Sequence, residues 1–290
     1  MNVLSNARRA QIVSALIEGN SVRATCRMCD VAKGTVLKLL VDVGWVCFGY
    51  QEATLRNLPC TRIEADEIWS FVYAKKANVP KSKQGEFGFG DVWTWTALDP
   101  DSKLLVTWHV GTRDTASGMT FMRDLRSRLA NRVQLTTDGH NSYLWAVAAA
   151  FEEGSADYAQ LHKTYGPPVM HEQDRRYSPP QFIGTTIKPI FGDPNLEKVS
   201  TSCAERHNLT MRMSMRRFTR LTNGHSKKLQ NHLAAISLHA MAYNFTRSQP
   251  KLGMTPAMAA GVADHVWSVG EVVALMDRAR EPVSLASLSN

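Results

Sequence analysis

Three acidic residues stand far apart in this 290-residue chain, each in a different local setting. Asp66 lies in the β-rich run Arg62-Ile63-Glu64-Ala65-Asp66-Glu67-Ile68-Trp69. Asp138 closes the run Leu135-Thr136-Thr137-Asp138 just before Gly139, and Glu205 opens a helically spaced segment, Ser202-Cys203-Ala204-Glu205-Arg206-His207-Asn208. Carboxylates that converge make an all-oxygen site of the kind Mg²⁺ (or Mn²⁺) prefers, because such hard cations take oxygen ligands and keep several waters. Two ions about 4 Å apart suit phosphodiester chemistry, one activating the attacking oxygen and the other stabilising the leaving oxygen. In that scheme Asp66 bridges the two metals, and Asp138 and Glu205 complete the ligand set.

Each carboxylate also has a plainer reading. Glu64 and Glu67 flank Asp66, but strand alternation puts Glu64 on its face and Glu67 on the other. Asp138 before a Gly could simply start a turn. Ser202-x-x-Glu205 spells a capping box, in which the Glu bonds the helix's own start. Asn208 and Arg212 share a helix face with Glu205 and favour the site reading; Glu197 is the reserve third ligand.

The elements that must position these residues follow from periodicity. Ile12, Val13, Leu16 and Ile17 mark a first helix ending at Gly19-Asn20, and Ser21 caps a second. Ala24 to Leu40 then has the pattern of a helix-turn-helix, with Cys26 in the small-residue slot, Cys29 at a packing position and Asp30 at the turn. Lys33, Thr35 and Lys38 would sit on its recognition helix, facing a major groove; a plain helical hairpin is the alternative. Residues 49–61 lack periodicity and are expected to be a linker between a 1–48 helix-turn-helix domain and a 62–249 catalytic domain, with 250–290 as a tail. Three strands in a meander come next, a long basic loop over 75–90 joining the first two. They are followed by a helix behind Asp114 or Thr115, a short strand ending at Asp138, a helix over 143–153 and a strand near 158–164. Residues 166–199 are Pro-rich and irregular and are expected to form a loop with a task of its own, in contact with nucleic acid or a second subunit. A helix from Ser202 and a long buried one from Ser226 to Phe245 complete the body, and Ser268-x-x-Glu271 opens a last short helix. The order β-β-β-α-β-α-β-α predicts an α/β fold, a ribonuclease-H-like mixed sheet flanked by helices, with an all-α N-terminal helix-turn-helix domain.

The net charge of +8 is uneven: no Asp or Glu occurs from Arg206 to Ala263, a stretch that holds Arg212, Arg216, Arg217, Arg220, Lys227, Lys228, Arg247 and Lys251. Such a stretch suits a polyanion, with Arg216, Arg217 and Arg220 as its nearest candidates for DNA contact. No run is long and apolar enough for a membrane span, and the first residues have no signal-peptide core, so a cytoplasmic, membrane-free protein is expected. The five cysteines are scattered. Cys26-x-x-Cys29 invites zinc with Cys47 and Cys60, but the second spacing is wrong for a compact ribbon, and small core residues explain the set better.

The strand Asp66, the Thr137-Asp138-Gly139 strand end and Glu205-Arg206-x-Asn208-x-x-x-Arg212 together resemble the DDE transposases, in particular the insertion-sequence-one family of bacterial mobile elements. The resemblance covers nearly the whole chain. It implies a bacterial DNA transposase that cuts element ends with two divalent cations and transfers the freed 3′ hydroxyl into target double-stranded DNA. It also implies assisting roles for Asn208 and Arg212 and, because two ends must be held together, at least a homodimer. The contrasting readings are a helix-turn-helix transcription regulator that binds without cutting and a nuclease of the same fold that only hydrolyses.

Overall fold

The structure, a computed structural model, describes residues 4–152, 154–166, 181–219 and 222–279. Ser5 and Ser21 cap the first two helices, α1 (Asn6–Ile17) and α2 (Val22–Cys29), each hydroxyl accepting a backbone N–H of the first turn. Asp30 ends α2 with a left-handed backbone, φ 45°, a conformation Asp tolerates better than most residues. The third helix, α3 (Lys33–Thr54), runs well into the segment expected to be a linker. Its buried stripe continues from Leu40, Val43 and Cys47 to Gln51, whose side-chain amide donates to the Cys47 and Ser237 carbonyls at 3.0 and 3.3 Å. A polar residue thus ends the stripe, which is why apolar periodicity fades before the helix does.

The sheet has six strands: β1 (Arg62–Val72), β2 (Gly90–Leu98), β3 (Leu105–Gly111), β4 (Val133–Asp138), β5 (Ala156–Tyr165) and β6 (Phe182–Phe191). They lie in the order β3-β2-β1-β4-β5-β6; β1, β2 and β3 form an antiparallel meander, and β4 and β5 run parallel to β1. This is the ribonuclease-H-like arrangement, extended by β6 pairing antiparallel to β5. Strand β6 corrects the expectation of an irregular 166–199 segment; residues 167–180 of that segment lie outside the described residues. Pro189 is accommodated because β6 is the sheet edge and Pro189 pairs beside a register shift, both places where a strand tolerates proline.

One face of the sheet is covered by α4 (Thr115–Arg128) and α5 (Asn141–Ala150), with Trp95 of β2 edge-on to Tyr143 at 5.1 Å and 5.9 Å from Phe121. The other carries α6 (Ser202–Ser214) and α7 (Leu229–Met241), where Leu98 and Leu105 pack with Ala204, Ala240 and Tyr243. A π-helical turn, Ala242–Thr246, continues α7 and lets buried Asn244 bond both the N–H and the carbonyl of Leu105, each at 2.9 Å, on strand β3. The chain closes with α8 (Pro256–Ala259) and α9 (Val269–Arg278), the latter behind the expected Ser268–Glu271 capping box. Helices α1 to α3 share one continuous core with the sheet, α7 and α9, Ile12, Val43, Leu135, Ala235 and Val272 all belonging to it. No helix among the described residues is long and apolar enough to cross a membrane.

Candidate metal centre

Strands β1 and β4 are parallel neighbours whose paired register ends at Ala65–Thr137, which sets Asp138 beside Asp66. Asp138 is the last residue of β4, so no strand continues alongside Glu67. With that gap beside it, the Glu67 side chain reaches its neighbour's carboxylate although strand alternation had assigned it to the opposite face. Asp66, Glu67 and Asp138 each offer an oxygen within 4.8 Å of the others. The two strand aspartates therefore meet as expected, and the third acid at their side is Glu67, which sequence reasoning set aside. The usable signal was that Asp138 and Gly139 end a strand.

Like charges and burial make this cluster costly. Burial, reinforced by the Glu67 and Asp138 charges, pushes the Asp66 carboxyl up to about 7. Glu67, with no exposed side-chain surface, is also raised, by burial first and then by Asp138. It is satisfied by the Tyr143 hydroxyl, donating at 2.8 Å, and by the Arg113 guanidinium at 2.6 Å. Backbone N–H groups orient the other two, that of Glu67 donating to Asp66 at 2.8 Å and that of His140 to Asp138 at 2.9 Å. Three hard oxygen donors, two of them raised by burial and by their neighbours' charge, fit a divalent cation, which would relieve the repulsion between them.

Helix α6 closes the other side. Glu64, on the same strand face as Asp66, accepts the N–H groups of Cys203 at 2.7 Å and Ala204 at 3.1 Å, so a strand carboxylate caps the helix and meets its positive end. One turn on, the Asn208 side-chain N–H donates to Asp66 at 2.8 Å, while its carbonyl oxygen is buried with no partner, a further unspent oxygen beside the acids. Glu205 stands outside that 4.8 Å group, on an exposed part of the helix, yet near enough for its charge to add to the rise of Asp66; it takes an ion pair from Lys163 and a hydrogen bond from the Thr201 hydroxyl at 2.6 Å. The capping box spelled by Ser202 and Glu205 does not form; Thr201 holds the cap position and Glu64 supplies the acceptor. Arg212 follows on the same helix and its carbonyl accepts from the Thr219 hydroxyl at 3.1 Å. The reserve ligand Glu197 lies on a 3₁₀ turn, Leu196–Lys198, and is exposed.

The residues expected to touch DNA divide by exposure. Lys33 and Lys38 are exposed on α3 and Thr35 is half-buried, Lys38 being paired with Asp42 at 2.5 Å. Arg216 is exposed but lies past the end of α6. Arg217 is half-buried: its guanidinium donates to Ser226 at 2.7 Å, and burial lowers it to about 10. Arg220 lies outside the described residues. All five cysteines are free, three of them buried, and none joins a metal-ligating group among the described residues.

No protein-family model matches the chain, and no curated protein does. Among solved structures it is similar to a piggyBac transposase in a synaptic complex with hairpin DNA, at a TM-score of 0.37 and 11% identity over 98% of this chain and 74% of that one.

Proposed function

We propose that the chain is a DNA transposase of the insertion-sequence-one type, cutting phosphodiester bonds at element ends with Mg²⁺ or Mn²⁺ and passing the new 3′ hydroxyl to target DNA. The observation that carries this reading is the meeting of Asp66, Glu67 and Asp138 at the C-terminal end of β4, on a ribonuclease-H-like sheet. Asp66 and Asp138 would hold the cations, with Glu67 beside them; Glu205 would join if the Lys163 pair opened. Bound there, divalent cations supply Lewis acidity to the attacking and leaving oxygens. Asn208 keeps Asp66 turned toward its neighbours, and Arg113 and Tyr143 hold Glu67. Double-stranded DNA is the partner, and joining two ends calls for at least a homodimer. In balance, water attacks phosphorus and the 3′ oxygen leaves as a hydroxyl, and that hydroxyl then attacks a target phosphodiester and displaces a second 3′ oxygen.

The test is a labelled duplex taken from the DNA flanking the gene, incubated with the full chain and Mg²⁺ or EDTA. Nicking that needs the metal, falling at least about 10³-fold in Asp66→Ala, is the expected result. An intact duplex in both would overturn the enzyme reading. Bound but uncut DNA would favour regulation through α2 and α3, whose exposed Lys33 and left-handed Asp30 turn suit a helix-turn-helix. Cleavage without strand-transfer product would mark a nuclease.

A further inference from the structure

Arg113 stands on the short link between β3 and α4, and the link is tightly held on both sides. The Thr112 carbonyl accepts the Trp95 indole N–H at 3.2 Å, and Asp114 caps α4 by accepting the Ser117 N–H at 2.9 Å. A Cβ on Gly111 would come 2.5 Å from the Ser117 hydroxyl and 2.9 Å from the Ser117 Cβ, so any larger residue there would have to displace the Ser117 side chain at the start of α4. The guanidinium lies over the Trp93 ring, 4.6 Å from its centroid, which fixes its plane. From that position it reaches Glu67 at 2.6 Å and stands 3.9 Å from Asp138.

A buried Glu67 needs a counter-charge, and that alone could explain an arginine. Two features exceed this need. Glu67 already accepts the Tyr143 hydroxyl, and the Arg113 side chain is 37% exposed where a purely internal counter-ion would be covered. A guanidinium has five N–H donors, and those turned to Glu67 and, at 3.9 Å, to Asp138 spend only part of the fork. The remainder stands at the rim of the acidic cluster, on a stacked and anchored arginine, which is the form in which planar guanidinium recognises phosphate oxygens.

We propose that Arg113 is a substrate clamp: besides holding Glu67, it binds a non-bridging oxygen of the DNA phosphodiester presented to the Asp66–Glu67–Asp138 cluster. This rests on the reading of the site as a metal-dependent DNA-cutting centre. It assigns the β3–α4 link a role that neither the charge pattern nor the acidic residues pointed to.

The experiment uses the full chain with Arg113→Gln and Arg113→Lys and three measurements. These are Mn²⁺ binding by the protein alone, binding of the flanking-DNA duplex in Ca²⁺, and nicking in Mg²⁺. The expected result for Arg113→Gln is Mn²⁺ affinity equal to or tighter than wild type, since a competing cation is gone, with duplex affinity in Ca²⁺ down about tenfold. Arg113→Lys keeps the charge without the fork and should fall between the two, and it decides the matter if the Gln variant does not fold. Duplex affinity within twofold of wild type in the variant that folds would overturn the clamp. So would a loss of Mn²⁺ binding equal to the loss of DNA binding, which would make Arg113 only a support for Glu67. If wild type binds duplex through Arg113 but never nicks it, the clamp stands and the enzyme reading falls.

Discussion

Asp66 concentrates the cost of the site in one side chain. Its carboxyl, raised to about 7, binds a proton in the folded protein over a range where the unfolded chain, near the ordinary carboxylate value, has lost it. The folded state holds more protons there, so stability is highest below about pH 4 to 5 as far as this group is concerned and falls as pH rises toward 7. At pH 8, Asp66→Asn removes the charge and is expected to raise the metal-free melting temperature by roughly 2–4 °C, about 1 kcal/mol for a chain of this size. Mn²⁺ should stabilise wild type and leave the Asn variant nearly unmoved. Differential scanning fluorimetry from pH 5 to 8, with and without metal, checks both; a variant stabilised by metal as strongly as wild type would remove Asp66 from the ligand set.

Among the elements, α3 and α6 bring remote residues together by close approach. Helix α3 meets α7 at Gly44, where a Cβ would fall 2.6 Å from the Cα and Cβ of Ala234. Gly44→Ala would help an isolated helix but here forces two backbones apart, and overpacking of this kind costs about 1–3 kcal/mol. Urea unfolding should show that loss at an unchanged m-value, and an unchanged midpoint would mean the two helices are free to separate. Helix α6 is fastened at its first turn by Glu64 and one turn on by Asn208, so β1 holds it at two same-face positions, Glu64 and Asp66. The pairing that puts Asn208 on Asp66 therefore depends on a carboxylate whose own part is structural.

Across the molecule, the basic stretch after Glu205 is smaller as a surface than as a sequence. Arg217 is bonded to Ser226, and Arg247 ties α1 to the end of α7 through the Ile17 carbonyl and Glu18. Of the exposed bases Arg206, Arg216, Lys227, Lys228 and Lys251, the three between α6 and α7, Arg216, Lys227 and Lys228, are the nearest set for a polyanion. Duplex affinity is expected to fall steeply with salt, with a log–log slope that loses about 3 when these three are changed to Ala, near 0.9 per phosphate contact. Arg247→Ala should leave the slope as it was. A slope that is flat in wild type would mean that DNA is not held through its phosphates.

Local patterns carried much of this protein. The Ser21 and Ser268 caps, the Asp30 turn, the meander and the strand ending at Asp138 were legible because capping, turn and alternation signals act over a few residues. Strand β6 and the last turns of α3 were not, since an exposed edge strand has no buried face to mark and the α3 stripe ends on a glutamine bonded across the core. The sequence by itself determined that Asp66 and Asp138 belong to strands of one mixed sheet. Only the tertiary structure decided that Glu67 joins them, that Glu205 pairs with Lys163, and that Arg113 stands at the rim. The physical reason is that alternation assumes an unbroken sheet, whereas β4 stops at Asp138 and no strand runs on beside Glu67.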